Sequence, residues 1–177
     1  MVNYPRGVYL MFELKYDEIN NEIVQIDPNG KSKVIADNFP SMPISSPDNK
    51  KAIFINPLEW EELGSLYLYN FENGSLSEII QPDENQNIPK YADWIDADNI
   101  AVIIGFGMGT IAVGGNVYVY NIPNSSLEQI TFYQSEIQIT KLRVQNDIIK
   151  LTGIKYIDDN LNEFKDFEDT ISINHKP

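Results

Sequence analysis

Two kinds of hydrophobic pattern recur along the chain. Residues 65–71 read SLYLYNF and residues 116–122 read NVYVYNI, with apolar and polar positions in strict alternation. A period of two belongs to β-strands with two unlike faces. The second pattern is continuous: residues 52–55 and 100–104 contain no polar side chain. Such a run suits a strand covered on both faces by neighbouring layers.

Each continuous run follows a polar turn. SPDNKK (46–51) precedes the run at 52, WIDADN (94–99) the run at 100, and RVQND (143–147) the run 148–151, at a spacing of about 48 residues. Each alternating strand is followed by a turn, ENGS at 72–75 and PNSS at 123–126, and then by a mixed strand, 76–80 and 127–131. Asn, Gly, Ser and Pro tolerate the tight or left-handed backbone of such turns. The first unit repeats the order, with strands at 7–14, 22–26 and 33–36 around the turn DPNG at 27–30. Segments 38–44, 89–95 and 137–144 are expected to supply innermost strands.

Repetition at this period predicts a propeller-like architecture. The chain reads as one all-β, β-propeller-like domain, 1–177, of about four blades of four-stranded antiparallel sheet, with units at about 6–37, 38–81, 89–132 and 137–174. The first unit begins at its second strand and the last ends on its third, at 169–174. One inner and one outer strand then have to come from residues 1–4 or from an irregular tail, or else an edge stays exposed.

The Ser-Pro-Asp-Asn-Lys-Lys turn with its apolar strand, the Gly64-Ser65 entry into Leu-Tyr-Leu-Tyr-Asn, and the Gln129-Ile130-Thr131 ending together resemble the TolB-like β-propeller repeat. The two central units carry the match, about 100 residues, and in the last unit Val144-Gln145-Asn146-Asp147 replaces the Ser-Pro-Asp turn. Two architectures fit four such units: a small four-bladed ring, like a group of bacterial propellers of unknown function, or an open part of a larger ring. The resemblance implies a binding module rather than an enzyme. It also tilts the expected location to outside the cytoplasm, although residues 1–6 lack a charged-then-apolar leader pattern.

Composition narrows the partners. With 26 acidic and 13 basic side chains the formal charge is −13, which repels phosphate backbones and anionic headgroups. Nucleic acid and anionic membrane surfaces are therefore not expected, membrane insertion is not expected because no apolar run approaches the roughly 18 residues a span needs, and a protein or glycan is the expected partner. No cysteine is present, which excludes disulfides, thiolate metal sites and cysteine nucleophiles. The single histidine, His175, lies where the chain is expected to fray, so histidine-dependent triads and metal centres are not expected either.

The long connections 15–21, 56–64, 105–115 and 156–168 are predicted to share one face, the upper one, where function on a rigid scaffold tends to sit. Residues 56–64, NPLEWEELG, read as a short helix with Asn56 as N-cap, Pro57 in the first turn and Gly64 at the end. That helix either presents Trp60 and Glu61 to a ligand or uses Trp60 and Leu63 to cover the barrel mouth. GFGMGT (105–110) lacks the helix and lysine of a phosphate loop and reads as a hairpin loop, with Phe106 and Met108 as candidate ligand contacts. The rows Tyr67, Tyr69, Phe71 and Tyr118, Tyr120 are expected to pack between blades.

Asp158, Asn160 and Asn162 alternate as calcium ligands do, with Asp166, Glu168 and Asp169 downstream. Glu163 stands where a calcium loop has glycine and Asp169 where it has a bidentate Glu, so a solvated loop is the stronger reading and a calcium-stabilised domain the weaker. No other cofactor is expected, and no catalytic residue is assigned. The alternative function is a carboxylate-dependent hydrolase acting on carbohydrate, with Glu61, Glu62, Asp158 and Glu163 as the carboxyl groups on upper loops.

Overall fold

The computed structural model describes residues 11–173. These residues form fourteen strands in four antiparallel sheets, each built from strands consecutive in sequence. The first sheet is β1 (Glu13–Asp17), β2 (Glu22–Ile26) and β3 (Ser32–Ala36). The second is β4 (Ile44–Ser45), β5 (Lys51–Asn56), β6 (Ser65–Asn70) and β7 (Leu76–Ile80). The third is β8 (Asn87–Trp94), β9 (Asn99–Phe106), β10 (Asn116–Asn121) and β11 (Ser126–Gln129). The fourth is β12 (Ile137–Gln145), β13 (Ile148–Tyr156) and β14 (Phe164–Ser172). The architecture is all-β and propeller-like, and among the described residues no helix forms.

The continuous apolar runs form the middle strands. In β9, Ile100 and Val102 face the second sheet and join Ile53, Ile55 and Leu66, whereas Ala101 and Ile103 face the fourth and join Ile139, Leu142, Ile149 and Leu151. Every one of those four β9 side chains is fully buried. β5 divides in the same way, because Phe54 turns to the first sheet and packs with Ile23 and Ala36. The sheets thus pack in chain order, each buried face of a middle strand belonging to a different neighbour. Tyr67 stacks on Phe54 with ring centroids 5.4 Å apart, and Tyr69 and Tyr120 are buried. Tyr67, packed against Ile23 and Ala36 of the first sheet, and Tyr120, clustered with Ile53 and Leu66 of the second, lie between blades, as the alternation implied.

Hydrogen bonds from side chains and backbone add to the apolar packing between sheets. The Trp94 indole N–H donates to Ile44 O at 2.8 Å, and Lys51 Nζ donates to Ala97 O at 2.8 Å. Between the third and fourth sheets, Gly115 and Ile139 form an isolated antiparallel bridge, and Gly114 N donates to the buried Gln138 side chain at 3.1 Å. A Cβ on Gly114 would lie 2.1 Å from Ile139 O, so only glycine lets these two backbones meet.

Two expectations are corrected. The strand placed at 7–14 is β1 at Glu13–Asp17, and residues 7–10 lie outside the described residues, as do residues 1–4 and His175. The helix at 56–64 is absent. Asn56 ends β5 with its side-chain oxygen buried and unpartnered, Leu58 N donates to Phe39 O at 2.9 Å, and only one turn forms, where Glu62 N donates to Glu59 O. Glu61 takes a left-handed φ of 56°, which ends helical propagation. Four strands make up the second and third sheets, and three each make up the first and fourth, in keeping with a first unit that begins at its second strand and a last unit that ends on its third. Among the described residues the first sheet has no counterpart of the innermost β4, β8 and β12, and the fourth none of the outermost β7 and β11.

Candidate functional site

Strand direction sorts the connections into two ends. The hairpins β1–β2, β5–β6, β9–β10 and β13–β14, together with the inter-sheet connections, form the upper end, and the remaining turns form the lower. Contacts among upper loops agree with this sorting: Gly107 N donates to Gln86 O at 2.8 Å, and the Tyr156 hydroxyl donates to Ile111 O at 2.9 Å.

At the upper end, loop 57–64 of the second sheet and loop 107–115 of the third face each other across a hollow of about 280 Å³. Leu58, Glu59, Trp60 and Glu61 form one wall, and Gly107, Gly109, Ala112 and Val113 the other. Ile88, Pro89 and Lys90 of β8 line it between them. Trp60 is 62% exposed, and its backbone N–H donates to the Glu59 carboxylate at 3.3 Å. Lys90 Nζ donates to Ala112 O, and burial pulls its ammonium below the ordinary value, since a low-dielectric setting disfavours charge. This lysine ties the glycine-rich loop to the inner strand.

A second hollow, about 340 Å³, adjoins the first across Leu58 and Glu59 and is walled by Tyr16, Asn21, Phe39 and Met42. The pair of hollows crosses the first three sheets. A third hollow, about 540 Å³, is a wedge between the third and fourth sheets, lined by Ile95, Ile130, Ile149, Ile171 and Ile173 with Asp96 and Asn99. There the Asp96 carboxylate is occupied by the side chain and backbone of Asn99, so those two polar groups answer each other rather than a ligand.

The predicted residues therefore separate. Trp60 and Glu61 line the upper hollow. Phe106, the last residue of β9, is exposed, and Met108 is half-buried, but neither borders that hollow. Trp60 and Leu63 are both exposed and do not form a buried plug. Glu62 belongs to the same loop as Glu61, whereas Asp158 and Glu163 lie on the fourth sheet. Asp158 Oδ1 accepts from Asn162 N at 2.9 Å and Glu163 N at 2.8 Å. The Glu163 backbone N–H is the main cause that holds this carboxyl below its ordinary range. The Asp158, Asn160 and Asn162 loop is thus closed by its own amides, and among the described residues no group of three His, Cys, Asp or Glu converges as metal ligands would. The sequence reading missed Lys90, Leu58 and Val113. A lone lysine in the inner strand NIPKYADW was the available signal for the first of these.

A family model described as a domain of unknown function, DUF4652, matches residues 55–173. No curated protein matches. Among solved structures, a candidate conserved lipoprotein from Clostridium novyi NT is 28% identical with a TM-score of 0.70, over 76% of this chain and 88% of that one. An oligogalacturonate lyase in complex with manganese is 15% identical with a TM-score of 0.59, over 86% of this chain and 39% of that one. The β-propeller domain of the Trilobed protease from Pyrococcus furiosus, described as having an open velcro topology, is 16% identical with a TM-score of 0.51, over 89% of this chain and 48% of that chain. The last two likenesses concern the fold alone.

Proposed function

The chain belongs to the DUF4652 family, whose description names no activity, and on that footing we propose that it is a non-catalytic binding module acting outside the cytoplasm, with the upper hollow as its ligand site. One observation carries the reading. Two loops distant in sequence converge over Lys90 and leave Trp60 62% exposed at the rim, where an indole offers a large amphipathic contact at small entropic cost. The occupant is a protein or a glycan. A polyanion would meet a chain of formal charge −13, which disfavours nucleic acid, an anionic membrane surface and an acidic sugar. The carboxyl groups displaced from their ordinary range, Asp17, Asp48, Asp83 and Asp158, are all pulled down, the opposite of what a general acid needs.

Location outside the cytoplasm is supported by the likeness to the Clostridium novyi lipoprotein. The repeat is read as TolB-like because its Ser-Pro-Asp turn has a physical basis here. Ser46 Oγ donates to Asp48 at 2.6 Å and accepts from Lys51 N at 3.0 Å, which closes the turn into β5.

Tryptophan emission tests the site. Of the two tryptophans, Trp94 is 5% exposed and Trp60 is 62% exposed, so a ligand in the hollow shifts Trp60 emission and leaves Trp94 unchanged. The same ligand, at a hundred times its Kd, adds about 2.7 kcal/mol to stability. A ligand that stabilises the protein equally in wild type and Trp60→Ala, with no change in emission, places binding elsewhere and refutes the reading.

A further inference from the structure

The upper end combines two properties that seldom coexist on a solvated surface. Five of its large exposed apolar side chains border the adjoining hollows: Phe39, Met42, Leu58, Trp60 and Val113 are each more than 40% exposed. Its connecting loops carry charge of one sign, and the one cation lining the hollows, Lys90, is engaged by Ala112 O. The upper connections 18–21, 37–43, 57–64, 81–86, 107–115, 130–136 and 157–163 contain eleven Asp or Glu and no Lys or Arg. Among the described residues, the two ion pairs, Lys50–Glu72 and Lys51–Asp98, both lie at the lower end. Upper carboxylates such as Glu18, Glu59, Glu61 and Glu62 are exposed and have no cation within their own loops.

Apolar hollows flanked by unneutralised carboxylates complement a particular kind of chain, one whose large apolar side chains enter the hollows while its cations reach the rim. We propose that the two adjoining hollows form a docking groove for a cationic, amphipathic polypeptide segment of a partner protein, with Lys or Arg interspersed among Leu, Phe or similar side chains. This rests on the binding-module reading and names its occupant. The apolar contacts around Leu58 and Trp60 set residence time, and the carboxylates set encounter rate and selection against acidic partners.

The test titrates the full chain, by Trp60 emission and calorimetry, with three synthetic probes: a short peptide alternating Lys with Leu or Phe, the same peptide with Glu for Lys, and an oligolysine of equal length. A panel of neutral oligosaccharides is run beside them. The expected result is saturable binding of the first peptide alone. Its affinity should fall about tenfold between about 0.01 M and 0.15 M salt as screening tightens. Trp60→Ala should weaken it about tenfold or more. Glu59→Gln, Glu61→Gln and Glu62→Gln together should flatten its salt dependence while leaving the Trp60 effect in place. Oligolysine binding as tightly as the amphipathic peptide, with no Trp60 effect, would reduce the attraction to bulk charge and overturn the proposal. Binding of a neutral oligosaccharide at Trp60 without peptide binding overturns this occupant but keeps the binding module. Silence at Trp60 with every probe fails both.

Discussion

The two ends of the molecule are made from the same repeats and have opposite surfaces. At the lower end, short turns close on their own side chains: Asp27 accepts from Asn29 and Lys31 amides, Asn70 from Glu72 and Asn73, and Asp96 from Asp98 and Asn99. None of the large exposed apolar residues lies in the lower turns 27–31, 46–50, 71–75, 95–98, 122–125 and 146–147. At the upper end most loops are longer, several expose large apolar side chains, their only charged residues are acidic, and they bond to one another as well as to themselves. A turn that satisfies its own polar groups has little left to offer a partner. A loop held by a neighbouring sheet can keep an indole in solvent, so fold maintenance and recognition are divided between the ends.

Substitutions that separate anchoring from display give the sharpest tests. Gly114→Ala forces a Cβ to 2.1 Å from the Ile139 carbonyl oxygen and should cost about 3 kcal/mol of stability. Gly109→Ala, five residues away, has nothing within 4 Å of its Cβ but sits at φ 78° and should cost about 1 kcal/mol. Denaturant midpoints would measure both, and equal losses would mean that the tip of the loop is as fixed as its base. At the lower end, Ser46→Ala should cost about 1 to 2 kcal/mol, because a 2% exposed hydroxyl both donates to Asp48 and accepts from Lys51.

That turn also responds to pH. The Ser46 hydroxyl, above all, holds the Asp48 carboxyl below its ordinary value of 3.8. A lowered folded value stabilises the native state, fully so above 3.8, and this contribution is lost as pH falls below 3.8 through the folded value. Acid titration of Ser46→Ala should therefore be flatter in that range than wild type. Trp60→Ala should change stability least, within about 0.5 kcal/mol, while removing ligand response. A large loss of stability there would make Trp60 a structural residue and remove the contrast between the ends.

The features that were legible in the sequence are those governed by local periodicity. Alternation located β6 and β10, and continuous apolar runs located β5 and β9, because each records how many faces a strand buries. Strand β1 was misplaced because residues 7–14 supply a more apolar stretch than ELKYD, whose alternating Glu13, Lys15 and Asp17 are those of a strand at a sheet end. The supposed helix at 56–64 failed for a non-local reason: Leu58 gives its N–H to Phe39, nineteen residues earlier. Trp60 and Glu61 could be nominated from their loop alone. That the glycine-rich loop stands opposite them, pinned through Lys90 and Tyr156, depends on packing between sheets, which no single-strand pattern encodes.

The chain-order packing of the four sheets also sets the sequence in which the molecule loosens. Among the described residues the buried clusters join sheets that are neighbours in this packing, so resistance to opening adds up between neighbours as it does in a linear array. The first sheet shares a small core with the second, Ile23, Ala36 and Phe54, whereas β9 is buried on both sides by the two larger clusters. Amide protons of β2 should therefore exchange with solvent well before those of β9. The hollow nearer the first sheet would breathe while the one beside β8 stays formed, and a bound segment would be released first from its Phe39 and Met42 end.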